Sequence, residues 1–172
     1  YSPHNPVEMQ IKNDIKKLTQ QLGITNGLVH LQYIRSGSEY WIIEPTRRCP
    51  GDLYSELISR STGYPYAQAY AACFLGESPP RYISREIRSV VRHTVSSNRT
   101  GRFLSLAFNN VERLDAWYPL AKTGEMLEPS PDGRIGIAFF NTSNSHEQDL
   151  LVKSLLRGEL TEIEFAGEMN EY

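Results

Sequence analysis

The stretch Tyr40-Trp-Ile-Ile-Glu-Pro-Thr-Arg-Arg-Cys-Pro-Gly51 constrains this chain more than any other. It is a short apolar run that passes into polar residues and breaks at Pro50-Gly51. Glu44, Thr46 and Arg48 stand at alternate positions, and in extended backbone residues two apart point the same way. A carboxylate, a hydroxyl and a guanidinium therefore project together from the end of a strand. Such a group can hold a hard metal ion and an anionic oxygen. The simpler alternative is a surface pair between Glu44 and Arg47 or Arg48, which would contribute only about 0–1 kcal/mol.

The strand before it sharpens the choice. Gly27 to Ile34 is apolar and β-prone, Ser36-Gly37-Ser38 is a turn, and Tyr40 to Glu44 is the antiparallel return. Directly opposed residues in a hairpin have a constant index sum. If Gln32 is to face Glu44, that sum centres on Ser38 and the loop must hold an odd number of residues, three or five. A two-residue loop sends Glu44 to the other face. With the odd loop, Gln32 brings an amide oxygen to the carboxylate. His30, two residues earlier, lies on the same face.

Helices flank this ribbon. Asn5-Pro6-Val7-Glu8 has the form of a helix start, with Asn5 as the cap and Pro6 at the first helical position. Ile11, Ile15, Leu18 and Leu22 recur at helical spacing, and Gly23 stands where the helix should stop. Lys12, Lys16 and Lys17 form its solvated face. After Pro50-Gly51, Asp52 is placed to cap a helix carrying Leu53, Leu57 and Ile58 that ends at Gly63. Tyr66 to Leu75 forms another, stopped by Gly76, and Ser78-Pro79-Pro80 is the expected linker.

Beyond the linker the pattern becomes strand-like. Val91-His93-Val95, Gly101 to Phe108, Arg134 to Phe140 and Leu160 to Phe165 are the expected strands, and Asp115 to Pro119 reads as an aromatic joint. Ser145-His146-Glu147-Gln148 is a capping box for a helix running to Arg157. The expected fold class is α/β (α+β), an antiparallel sheet flanked by helices followed by a small sheet-rich region. The expected domains are 1–77 and 81–172.

Composition excludes several partners. With 40% hydrophobic residues, 22% charged and a net charge of −2, the chain lacks the clustered basic excess of a nucleic-acid surface. No apolar run is long enough for a bilayer, and no signal-peptide pattern opens the sequence. Cys49 and Cys73 form neither a disulfide framework nor a ligand cluster, so a reducing, cytoplasmic setting is expected. The first residue is Tyr1, which reads as a chain cut from something longer. His93 and His146 read as structural or solvated. Arg47, Arg85, Arg88, Arg92, Arg99 and Arg102 are numerous enough to bind an anionic substrate.

Gly27-Leu-Val-His-Leu-Gln-Tyr-Ile followed by Ile-Ile-Glu-Pro-Thr-Arg-Arg-Cys-Pro-Gly-Asp resembles the metal-binding segment of the ATP-grasp ligases. The resemblance covers roughly residues 5 to 77. Within that family it is similar to the large subunit of carbamoyl-phosphate synthase and to biotin carboxylase. It implies that Glu44 bridges two Mg²⁺ (or Mn²⁺) ions, that Gln32 holds the first, and that Thr46 stands where the family has Asn. Arg48 then stabilises the phosphoryl group in transit. Gln at the first metal position is a variation that the carbamoyl-phosphate synthase large subunit shares, whereas Thr46 departs from the pattern.

The implied chemistry joins a carboxylate substrate to an amine-type nucleophile through an acyl phosphate made from ATP. In that family an adenine-binding hinge and a lysine-bearing lid precede this segment, whereas here only a helix does. The resemblance therefore implies the C-terminal portion of a ligase, inactive as an isolated piece and dependent on the remainder of the enzyme. An uncovered sheet edge points to self-association as a homodimer. The rival expectation is a non-catalytic binding domain that kept the fold while its metal site decayed.

Overall fold

The computed structural model describes residues 6–83, 87–109 and 111–167. The expected cap Asn5, Arg85 and the tail beyond Gly167 lie outside these residues. The order of elements is α1 (Pro6–Gln21), β1 (His30–Ser36), β2 (Glu39–Thr46), α2 (Tyr54–Thr62), α3 (Tyr66–Phe74), β3 (Ser89–Ser96), β4 (Gly101–Phe108), β5 (Leu114–Pro119), β6 (Met126–Leu127), β7 (Arg134–Thr142), α4 (Ser145–Leu156) and β8 (Thr161–Phe165). The fold class is mixed helix and antiparallel sheet, as expected. No described helix is long and apolar enough to cross a membrane.

Contacts divide the chain into two units. The first runs to Ser55 and takes up Pro65–Tyr82. Its helix α1 buries Val7 and Ile11 and exposes Lys12, Lys16 and Lys17. At the end of α1 the amide of Gly23 donates to Gln20 O and that of Ile24 to Thr19 O, with Gly23 at φ +64°. This paired closure needs a left-handed residue, which glycine supplies without a Cβ clash. Antiparallel β1 and β2 form a two-stranded sheet. Helix α2 begins at Tyr54, one residue later than an Asp52 cap requires. Asp52 and Leu53 both sit in the left-handed region, at φ +54° and +57°.

The second unit comprises Glu56–Tyr64 and the chain from Ile83 onward. It contains two three-stranded antiparallel sheets, β3-β7-β5 and β6-β4-β8, where the sequence suggested a single small sheet. Asp115 to Pro119 is a strand here, with Pro119 tolerated because β5 is an edge. Helix α4 is capped by Asn144, whose side chain accepts from the Glu147 amide, one residue earlier than the expected Ser145.

Strand β7 carries the core of this unit. Ile135, Ile137, Ala138, Phe139 and Phe140 are all buried, a continuous apolar run of the kind a strand covered on both faces requires. On one face Ala138 and Phe140 meet Val91, Leu151 and Leu155, so α4 closes that side. Ile135, Val95, Phe103 and Leu127 fill the space between the two sheets. Ile135 is an extra residue in the β3 pairing, where Val95 faces Gly136 and Ser96 faces Arg134. That bulge turns its side chain inward. Gly136 is obligatory for a different reason: a Cβ there would come 2.1 Å from Trp117 Cη2.

On the other face of β7 the Arg60 guanidinium lies 5.2 Å from the Phe139 ring centre, and Tyr118 meets Phe139 edge-on at 5.8 Å. This explains why residues 56–64 group with the second unit. Asp115 is itself a bulge residue in β5, because Leu114 faces Phe140 and Ala116 faces Phe139. The bulge aims its carboxylate at Arg60, with which it is ion-paired, and at Asn141 Nδ2, 2.9 Å away.

His93 stands between Val91 and Val95 on the core-facing side of β3. Burial, and then the charge of Arg92, hold its pKa below the ordinary histidine value. The unfolded chain takes up a proton near pH 6.5 while the folded chain still resists it. Stability contributed by neutral His93 is therefore complete above pH 6.5 and is lost as pH falls from there toward the depressed folded pKa. The urea midpoint should drop between pH 7.5 and 5.5 in the native chain and drop less in His93→Val; equal slopes would refute this assignment.

Candidate metal centre

The hairpin β1–β2 turns through Gly37-Ser38, with Ser36 opposite Glu39. Gly37 has φ +60° and Ser38 is not left-handed, the pattern of a type II′ turn with glycine at its first central position. The loop is thus two residues long, not three or five. Such a loop alone would place Glu44 on the wrong face. A bulge corrects it. The ladder runs Arg35–Tyr40, Ile34–Trp41, Tyr33–Ile42 and then, with Ile43 left over, Gln32–Glu44, Leu31–Pro45 and His30–Thr46. One extra residue shifts every later side chain by a position, and Gln32 and Glu44 become directly opposed.

Strand alternation then gathers three cross-strand pairs on one face: Ile34 with Trp41, Gln32 with Glu44, and His30 with Thr46. The other face carries Tyr40, whose hydroxyl bonds to Asp14 of α1. That bond raises the phenol pKa above its ordinary value. Helix α1 therefore packs behind the pairs and leaves their face open. Ile34 and Trp41 are 58% and 52% exposed, and Gln32 and Glu44 are exposed beside them. Ile34 and Trp41 carry no chemical signal in sequence. Only the register shows that they share a face with Gln32 and Glu44.

Neither arginine pairs with Glu44. Arg47 donates from Nη2 to Asn26 O, passing over Gly27, where a Cβ would lie 2.5 Å from the guanidinium. Arg48 donates from Nη1 to Cys49 O at 3.2 Å. Among the described residues Glu44 makes no ion pair, so the surface-pair alternative fails. Arg48 lies past the end of β2, in the segment leading to the left-handed residues Asp52 and Leu53. A left-handed leucine costs roughly 1–2 kcal/mol, a strain that loops beside functional sites often retain.

The donor set was tested against a metal. No group of three or more His, Cys, Asp or Glu side chains that could hold a metal occurs among the described residues. The face instead offers one carboxylate, one amide oxygen and one hydroxyl, with the His30 imidazole beside the hydroxyl. The three oxygens suit Mg²⁺, which takes few protein ligands and leaves positions for water and phosphate oxygens. Thr46 is the weakest member: its Oγ1 is 3.5 Å from His30 Nδ1, and a hydroxyl has a short reach.

No protein-family model matches the sequence, and no curated protein matches it. Solved structures do. A phosphoribosylglycinamide synthetase from Anaerococcus prevotii superposes with a TM-score of 0.77 at 18% identity, covering 96% of this chain and 44% of that one. An L-amino acid ligase from Bacillus licheniformis gives 0.76 at 17% identity, covering 97% and 43%. A single-chain, multi-domain long-chain acyl-CoA carboxylase gives 0.67 at 13% identity, covering 95% and 19%. The chain has an ATP-grasp fold. It spans less than half the length of each of these ATP-grasp chains.

The bulged register can be checked directly. In a Cys49→Ser, Cys73→Ser background, Gln32→Cys with Glu44→Cys should form a disulfide on mild oxidation. Directly opposed Cα atoms lie about 4.5–5.5 Å apart, within disulfide range. Gln32→Cys with Ile43→Cys should not. The reverse pattern would mean an unbulged ladder.

Proposed function

We propose that this chain is the metal- and phosphate-binding C-terminal part of an ATP-dependent carboxylate–amine ligase. Residues 1–77 supply the metal-binding portion, and 81–172 form the β-rich region that follows it. The observation that carries the reading is the opposition of Gln32 and Glu44 on an open face, with Glu44 unpaired among the described residues. A carboxylate left facing water with two arginines nearby in sequence is available to a ligand.

On this reading Gln32 and Glu44 hold Mg²⁺ or Mn²⁺, with Thr46 as an outer or second-metal contact. Such an ion neutralises charge on the phosphates of ATP when bound. Arg48 contributes a guanidinium to the phosphoryl group moving from ATP to the substrate carboxylate. The resulting acyl phosphate is attacked by an amine-type nucleophile, with loss of phosphate. Ile34 and Trp41 supply apolar surface on the same face, against which a purine ring can lie. The remaining parts of a ligase lie outside the portion matched here, so the isolated piece would not turn over. The proposed setting is cytoplasmic, with a homodimer formed through the open edges of the hairpin.

One observation favours a second reading, a binding domain with a decayed site: Thr46 turns toward His30 and offers little to a second metal. Binding of ADP with Mn²⁺ to the full-length protein separates the two. The ligase reading expects nucleotide affinity that depends on Mn²⁺ and falls at least about tenfold in Glu44→Ala, and by less in Gln32→Ala, on the scale of a lost charged ligand. Absence of nucleotide binding, or binding indifferent to Glu44, would leave the second reading standing.

A further inference from the structure

The second unit contains a concavity that shares no residue with the hairpin. It has a volume of about 650 Å³ and is walled by the end of α2, by Arg88 and Ser89, and by Asn141 to Ser143. Its described lining residues include Arg60, Arg88, Asn141 and several serines and threonines, and no Asp or Glu. The two arginines differ in what they are free to do.

Arg60 is committed. It is ion-paired with Asp115, its Nε is 3.4 Å from Glu56 Oε2, its Nη2 donates to Tyr118 Oη at 3.3 Å, and it stacks on Phe139. Its charge is met by groups behind the wall. Arg88 is not committed. Its backbone amide donates to Ser61 O at 2.8 Å, which fixes where the residue leaves the chain. Its exposed guanidinium has no hydrogen-bond or ion-pair partner among the described residues.

The strand ends beside it are fixed on both faces of β7: Asn141 is held on Asp115 on the Arg60 side, and on the α4 side Thr142 Oγ1 donates to Ser89 Oγ at 2.6 Å and Ser89 Oγ to Gln148 Oε1 at 2.8 Å. A polar cavity bordered by an arginine that no described residue pairs favours a planar or tetrahedral anion, because a guanidinium presents a fork of donors that matches two oxygens at once. We propose that this cavity binds a small oxyanion, a carboxylate or a phosphate, with Arg88 as its principal contact. The inference does not depend on nucleotide binding at the hairpin.

Titration of the full-length protein with inorganic phosphate and with malonate, in the absence of divalent metal, tests it. At least one anion should bind, and Arg88→Ala should weaken that binding tenfold or more, with Arg88→Lys intermediate. Arg157→Ala, which removes an exposed cation elsewhere in the unit, should leave binding unchanged. Phosphate binding alone or malonate binding alone supports the site and identifies which oxyanion it prefers. An unchanged thermal midpoint in Arg88→Ala excludes unfolding as the cause. Failure of both anions to bind, or equal affinity in Arg88→Ala and the native chain, overturns the proposal.

Discussion

The candidate site depends on one extra residue in a two-stranded ribbon. A two-residue turn and an unbroken ladder would put Ile43 opposite Gln32 and send Glu44 to the face packed by α1. Leaving Ile43 unpaired costs a ladder position and exposes an isoleucine. In return, an amide, a carboxylate, a hydroxyl and an imidazole share one open face. Bulges of this kind re-aim side chains beside functional sites in many sheets. Here the bulge is the device that brings Gln32 and Glu44 to the same face of the hairpin.

The second unit uses the same device for different ends. Ile135 bulges to fill the space between two sheets, and Asp115 bulges to meet Arg60. Burial of Phe139 and Phe140 contributes about 1.5–3 kcal/mol each. The Arg60 stack on Phe139 ties the end of α2 to the central strand. A single arginine therefore fixes residues 56–64 on the core of the second unit. Arg88, beside the same cavity, is paired with no described residue.

Much of this was legible in the sequence, for identifiable reasons. Helix stops at Gly23, Gly76 and Gly158 are local, and each glycine adopts a positive φ as that role demands. The pairing of Gln32 with Glu44 was legible because the alternation of polar residues specifies a face. The means of achieving it was not, since an odd loop and an even loop with a bulge give the same pairing, and only packing decides between them. Asp115 and Pro119 are poor strand formers, so β5 read as a joint; edge position and a bulge make the strand possible. Asp52 read as a cap because its side chain suits that role, yet its backbone is left-handed and the helix begins later. The separation of the later strands into two sheets depends on pairings between β4 and β8 that are distant in sequence and leave no local mark.

The central claim is that one face of the hairpin, and not the other, holds a metal–nucleotide complex. Paramagnetic broadening of amide resonances by Mn²⁺ with ADP reads this residue by residue. Signals from His30, Gln32, Glu44 and Thr46, with the Gln32 side-chain amide, should broaden first. Broadening spread evenly over the surface, or absent from the hairpin, would contradict it.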